Sequence, residues 1–437
     1  MIGNWKFGDI LGLNARSFEY LRQNHKLARR RADDKLITKK MLSRVQVAHP
    51  KLLGVIGKRE KVDGFDWHKL SGGVVVKPVK GFGGKGILIL KKSVKEPSNF
   101  ILPDGKRMSI EQIKVHVLDI IEGRFSHNNL PDKAMIEERI YIHPKFKKLA
   151  IGGTPDVRII VYNKVPVMAM LRVPTEESEG KANLHMGAMG LGIDIATGIT
   201  TYGIYKNEQI KLFPDSRKKV NGISIPHWNK ILRMAVKTQM VSRLKYLSVD
   251  MLIDSEKGPV VLELNDQPGL SIQLANMAGL RKRLERVEGL SIESAEKGVK
   301  IAKALFASEF ASRVKFDTVE RPVVSVFDQV GLKAYKGKRS MVKIKLDTGA
   351  YSTSIDRSLA EKMGLLHSKN VIMEKSFRSA LGEQIRLIVG VNFLIKGVKI
   401  KTVASVSNRS HLDYQMIIGR RDLKGFLIDP ISDEEDQ

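Results

Sequence analysis

Apolar positions follow two rhythms along this chain. Residues 1–60 read as helical and basic. Asp33-Asp34 precedes apolar residues at Leu36, Ile37 and Met41, close to the spacing of one helix face, and acidic residues suit a helix N-terminus. From residue 72 the pattern changes to short β-runs: Val74-Val75-Val76-Lys77-Pro78, a glycine-rich stretch, then Ile87-Leu88-Ile89-Leu90. Further strands are expected at 134–142, 157–161, 165–173, 248–253 and 260–264. Residues 228–247 predict an amphipathic helix with Ile231, Met234, Ala235 and Val241 near helical spacing. Residues 292–314 predict one closing helix, broken by Glu320-Arg321-Pro322. Beyond lie β-segments at 323–327, 341–346, 387–395, 398–406 and 415–418. This predicts an α+β fold with a small all-β domain at its end: a helical region over 1–60, a core over 61–316 and a β domain over 317–437. Asp433-Glu434-Glu435-Asp436 reads as a solvated tail.

At 437 residues the chain exceeds one ordinary hydrophobic core, in keeping with that division. No apolar run approaches the roughly 18–20 residues that span a bilayer, so membrane insertion is not expected. The first residues lack the regions of a signal peptide. With no cysteine there is neither a disulfide framework nor a thiolate metal site, and a cytoplasmic location is expected. The net charge of +28 attracts polyanions such as nucleic acid, ATP or a glutamate-rich peptide. Nucleic acid is disfavoured as the main ligand, because aromatics are 6% of residues and do not interleave with basic clusters such as 22–31.

Gly81-Phe82-Gly83-Gly84-Lys85-Gly86 has the spacing G-x-G-x-x-G, but a strand follows it where a dinucleotide fold needs a helix. The expected arrangement is a hairpin with a glycine lid, whose N–H groups can approach phosphate oxygens unobstructed. Lys77 enters that lid. The His-Arg-Asp and Asp-Phe-Gly tripeptides of protein kinases are absent. Farther on, Glu263 and Asn265 stand two apart and so share a strand face. If 248–253 pairs with 260–264, Asp250 sits beside them. Two carboxylates and an amide oxygen make a hard-oxygen site suited to magnesium.

Taken in order, these motifs resemble the ATP-grasp superfamily over roughly residues 8–310, nearest its glutamate-ligase-related and sugar-transfer-associated branches. The resemblance rests on Ile10–Arg16, Asp33-Asp34-Lys35, Val76-Lys77-Pro78, the glycine lid, Ile136-Glu137-Glu138, Asp156-Val157-Arg158, Asn183–Gly187 and Glu263-Leu264-Asn265. It implies that Lys35, Lys77 and the glycines 81, 83, 84 and 86 contact ATP phosphates. Glu137, Glu138 and the backbone near Ile140 would line the adenine and ribose pocket. Asp250, Glu263 and Asn265 would hold Mg2+. Arg172 and Asn183 would face an acyl-phosphate and the acceptor, with His185 nearby. The implied reaction joins a carboxylate to an amine through an acyl-phosphate, on an amino acid or acidic peptide.

Near the end, Leu346-Asp347-Thr348-Gly349 follows an apolar strand, and Met416-Ile417-Ile418-Gly419 supplies another. With Gly425–Pro430 these resemble the retropepsin-like fold over about 322–431, and the family also labelled ATP-dependent zinc proteases. Proteolysis by paired carboxyls would then need a homodimer bringing two Asp347 side chains together, with residues 374–386 as the flap. Zinc finds little support, since His367 and His411 are isolated. A peptide-binding domain that does not cut is the other reading of this region. For the chain as a whole the alternatives are phosphoryl transfer to a small molecule, and a non-enzymatic basic adaptor.

Overall fold

The computed structural model describes residues 7–307 and 322–430, apart from 71, 82–83, 94–95, 97–98, 148, 150–151, 215 and 380–381. The expected boundary at 316–317 and the acidic tail lie outside these residues. The chain divides into two compact units, Met1–Val299 and Lys300–Gln437, and residues 7–60 belong to the first.

Among the described residues the first unit holds two antiparallel sheets. One has six strands: β1 (Leu52–Ile56), β2 (Gly73–Pro78), β3 (Leu88–Lys92), β4 (Asn99–Ile101), β5 (Arg107–Ser109) and β6 (Ala134–Glu138), in the order β1-β6-β2-β3-β4-β5. Alternation along a strand sends Val74, Val76, Ala134 and Ile136 to one face, where they pack in one core with Ile113, Val117 and Ile120 of the helix Ile110–Ile121. A reciprocal cap between Ser109 and Gln112 starts that helix. Lys77 and Glu137 fall on the opposite face by the same parity. The lid is a hairpin as expected, with β2 and β3 antiparallel and Val74 opposite Leu90.

The second sheet has seven strands: β7 (Asp156–Tyr162), β8 (Val165–Val173), β9 (Met189–Ile193), β10 (Thr200–Tyr205), β11 (Glu208–Ile210), β12 (Tyr246–Asp254) and β13 (Gly258–Asn265), in the order β11-β10-β9-β8-β7-β12-β13. The helix Trp228–Ser242 packs on β7, β8, β12 and β13. Strand β9, Met-Gly-Leu-Gly-Ile, carries too few β-formers for its pattern to reveal it. The glycines answer to packing: a Cβ on Gly192 would lie 2.2 Å from the Ala275 carbonyl oxygen. Two helices, Lys26–Asp33 and Lys35–Arg44, contact β13. Asp34 caps the second, accepting from Leu36 N (2.9 Å) and Ile37 N (3.0 Å).

Among the described residues nine strands build the second unit: β14 (Val323–Ser325), β15 (Phe327–Lys333), β16 (Arg339–Asp347), β17 (Ser354–Asp356), β18 (Val371–Ser379), β19 (Gly382–Ile395), β20 (Val398–Ser407), β21 (Met416–Gly419) and β22 (Leu427–Asp429). The order β15-β16-β21-β17-β20-β19 closes on itself where Gly331 and Leu332 of β15 meet Leu394 and Phe393 of β19. The result is a six-stranded barrel around Val330, Ile344, Ile355, Val391 and Ile418, with β18 paired to β19 outside the ring. Strand β21 runs between β16 and β17, which are consecutive in sequence. Val323–Ser325 and Leu427–Asp429 form a separate parallel pair.

Three expected elements are trimmed. The strand expected over 134–142 stops at Glu138, and Ile142 makes only an isolated bridge to Asp254. The helix expected over 228–247 ends at Ser242, where Arg243 turns to positive φ and the next strand begins at Tyr246. The closing helix is observed as Ala295–Leu305, and residues 308–321 lie outside the described set.

Candidate active site

Lys35 and Lys39 stand one turn apart on the helix Lys35–Arg44 and project from the same flank. The Lys35 ammonium donates to the carbonyls of Val79 (3.2 Å) and Gly81 (3.0 Å), where β2 enters the lid. Lys39 Nζ lies 2.9 Å from Glu137 Oε2 and donates to the Pro50 carbonyl at 2.5 Å. Lys77 Nζ pairs with Glu137 Oε1. Lys77 sits opposite Met135 and Glu137 opposite Val75, so the two are diagonal neighbours across the β2–β6 ladder. All three members of this cluster are buried: Glu137 is 3% exposed, Lys39 7% and Lys77 8%. Burial raises the carboxyl pKa of Glu137, but Lys77 and Lys39 outweigh it and hold the group below its usual range. Burial lowers the ammonium pKa of both Lys35 and Lys39, partly offset by Glu263 for Lys35 and by Glu137 for Lys39. Sequence reasoning missed Lys39, although its i, i+4 spacing from Lys35 was the available signal.

Gly81 opens the lid, and Gly84 and Gly86 take positive φ. A Cβ at Gly86 would lie 2.6 Å from the Phe125 ring, so glycine is required there for both its angles and its bulk. His116 holds the Gly86 carbonyl at 3.0 Å, which ties the lid's return limb to the helix beneath. Gly83 lies outside the described residues. Glu138, on the other face of β6 from Glu137, accepts from Lys51 N at 2.9 Å and pairs with Lys257. Ile140 is buried nearby.

Across the second sheet, Asp250 pairs in register with both Glu263 and Arg158, and Ser248 with Asn265. The pairing expected for 248–253 and 260–264 is therefore present. Arg158 grips Asp250 through Nε to Oδ1 (2.8 Å) and Nη2 to Oδ2 (2.6 Å). Arg172 donates to both oxygens of Asp156 at 2.5 Å and to Asp250 Oδ2 at 2.7 Å. Burial raises the Asp250 carboxyl, but the two arginines more than reverse this and hold it down at about 2. Asp156 is pushed up to about 6, by burial first, against the pull of Arg172. Both aspartates raise the pKa of Arg172 despite its burial.

Glu263 is exposed and has no hydrogen-bond partner among the described residues, while Asn265 Oδ1 accepts from Gln267 N at 2.8 Å. Asn183 caps the turn Leu184–Met186, its Oδ1 accepting from His185 N at 3.1 Å, and His185 is exposed. That turn leads into β9, whose Gly190 faces Arg172. A hollow of about 600 Å³ lined by Asp63, Phe65, Trp67, Glu111 and Lys114 lies elsewhere and includes none of these groups.

The profile of sugar-transfer-associated ATP-grasp proteins matches residues 15–289, which contain every charged group described above. The chain belongs to the sugar-transfer-associated ATP-grasp family. Members of the ATP-grasp family typically use ATP and Mg2+. Solved structures similar to this ATP-grasp chain include the ligase PsnB complexed with a minimal precursor, at 15% identity, TM-score 0.34 and 60% of each chain. Another is the D-alanine–D-alanine ligase of Bacillus anthracis complexed with ATP, at 16% identity and TM-score 0.34, covering 64% of this chain and 68% of that one. The D-alanyl-alanine synthetase A of Vibrio cholerae is similar at 10% identity and TM-score 0.35, covering 64% of this chain and 68% of that one. This chain thus spans 60% of the length of PsnB. Comparison with curated proteins returns no match.

The donor chemistry fits the magnesium of an ATP-grasp site in part. Among the described residues no three His, Asp or Glu side chains converge on one point. Glu263 offers a whole carboxylate and Asn265 a second lone pair, whereas Asp250 has only what its arginines leave. Magnesium keeps phosphate oxygens and water among its ligands, so a sparse protein donor set is compatible with it. Among the described residues no helix is long and apolar enough to cross a membrane.

In the second unit, Asp347 ends β16 opposite Gly419 and accepts from Gly349 N and Ala350 N, both at 2.9 Å. Arg409 lies close enough to feel the charges of Asp347 and Asp356.

Proposed function

We propose that this chain is an ATP- and Mg2+-dependent carboxylate–amine ligase acting through an acyl-phosphate. One observation carries the reading: Lys35 bonds the carbonyls at the root of the glycine lid and also feels the charge of Glu263 on the other sheet. A single cation therefore lies between the phosphate-covering hairpin and the candidate metal ligand. A nucleoside triphosphate bound there would have its phosphates between the two. Lys35 and Lys77 then neutralise phosphate charge, with Lys77 oriented by Glu137. Glu263, Asn265 and Asp250 would hold magnesium, which supplies charge neutralisation and alignment of the γ-phosphate.

The substrate carboxylate oxygen attacks the γ-phosphorus, ADP leaves, and an amine nitrogen then displaces phosphate from the acyl carbon. Arg172, fixed by two aspartates, presents a rigid cation where negative charge gathers on the acyl-phosphate, and Asn183 borders the acceptor side. An acidic substrate, either an amino acid or an acidic peptide, accords with the +28 charge. A cytoplasmic location is part of this proposal.

For the second unit we propose a retropepsin-like domain that binds or trims the product peptide. Support comes from β21 running between consecutive strands β16 and β17 beside the Asp347 loop. Cleavage would require two chains, one Asp347 from each.

The test is magnesium-dependent ADP release with a panel of amino acids and acidic peptides, with hydroxylamine present to trap an acyl-phosphate. A hydroxamate formed by wild type and lost at least 100-fold in Glu263→Ala supports the ligase. ADP release without hydroxamate would instead mean phosphoryl transfer.

A further inference from the structure

Among the described residues, Tyr246 Oη, Ser248 Oγ and Arg16 Nε are buried polar atoms without hydrogen-bond partners. Tyr246, Ser248 and Asp250 alternate on β12 and so share a face. Ser248 lies about 7 Å along the strand from Asp250, by the rise of two residues. Over this face lies the segment Leu13–Gln23. Its Tyr20 ring packs 5.8 Å from Tyr246, and its Arg16 donates Nη1 to the Pro268 carbonyl at 2.9 Å, just beyond Asn265. The charge of Arg16 acts on the Tyr246 hydroxyl. The neighbouring Tyr162 hydroxyl is, by contrast, satisfied by Gln23 (3.2 Å) and Glu288 (3.1 Å).

A buried hydroxyl without a partner costs roughly 1–3 kcal/mol, so a cluster of them beside a guanidinium needs an explanation. Two hydroxyl donors and one guanidinium N–H match the needs of a carboxylate, which accepts at both oxygens. We propose that Arg16, Tyr246 and Ser248 form a subsite for the non-reacting carboxylate of an amino-acid substrate, one strand step from the Asp250–Arg172 centre. This rests on the ligase reading for its place in the reaction. The hydroxyls are sealed, so entry requires the Leu13–Gln23 segment to lift. That segment includes a π-helical turn at Arg16–Tyr20, a geometry that recurs at functional sites.

The experiment compares wild type, Tyr246→Phe and Ser248→Ala in thermal shift and calorimetry, using free L-amino acids, their carboxamides and MgADP as probes. The expected result is that an amino acid binds wild type, its carboxamide does not, and each variant loses at least tenfold in affinity. MgADP affinity should stay within twofold, and each unliganded variant should melt no lower than wild type, since an orphaned hydroxyl has been removed. The subsite is overturned if no amino acid binds, if the carboxamide binds equally, if both variants retain affinity, or if both melt lower without ligand. Failure of the ligase reading looks different: wild type would bind neither MgADP nor turn over ATP, while amino-acid binding still depended on Tyr246 and Ser248.

Discussion

Lys39 and Lys77 hold opposite oxygens of the single carboxylate of Glu137, one reaching from a helix and the other from the neighbouring strand. Three buried charged groups thus carry a net charge of one, and that surplus cation faces the lid side of the first sheet. In the proposed ligase Glu137 would orient Lys77 beside the lid and would not wall the adenine pocket.

Glu137→Gln should destabilise the first unit by about 3–5 kcal/mol, the usual penalty for leaving buried charge unpaired. Urea unfolding followed by tryptophan fluorescence measures it. A loss under about 1 kcal/mol would mean the lysines find other partners readily.

The same carboxyl sets an acid limit. Its folded pKa lies below the ordinary 4.5, so its stabilising contribution is complete above that value and is lost as pH falls through the lower folded value. Wild type and Glu137→Gln should therefore converge in stability as pH drops below about 4.5, and stay separated by a constant gap from there toward neutrality. Denaturation midpoints between pH 3 and 7 decide this, and a gap that widens in acid contradicts it.

Lys35→Met should weaken MgADP binding at least tenfold while leaving the fold intact, because only two carbonyl bonds are given up. Calorimetry with circular dichroism separates the effects. Lys39→Met should act mainly on stability and less on nucleotide affinity, since Lys39 is spent on Glu137 and Pro50.

Arg172→Lys should lower kcat at least 100-fold with little change in KM for ATP. A lysine cannot bridge Asp156 and Asp250 in the planar, forked manner seen here. Steady-state ADP release measures both constants, and a selective rise in KM for ATP would place Arg172 on the nucleotide instead.

Much of the fold was readable because the lid strands and the pair β12–β13 alternate cleanly or run continuously apolar between turn residues. The pairing of β12 with β13 was expected from the short gap between Asp250 and Glu263, and its register comes from the structure. The strands that escaped are those whose residues answer to neighbours far along the chain. Gly190 and Gly192 of β9 are small because the segment near Ala275 lies against them, and β4 and β5 have three residues each. Lys77 and Glu137 were named as candidates, Glu137 through the family resemblance alone, but their pairing with Lys39 was hidden, since it depends on a helix reaching across to a sheet. The bond between Arg158 and Asp250 was hidden for the same reason: 92 residues separate the two in sequence.

The parallel pairing of Val323–Ser325 with Leu427–Asp429 bears on how the β domain could be handled as an object. Its first and last strands run side by side in the same direction, so entry and exit are offset by only about one strand length, near 10 Å for three residues. A short linker could join them and new ends could be opened at another surface turn, giving a circularly permuted barrel. The pair, not the ring, carries the entry and exit of the described domain.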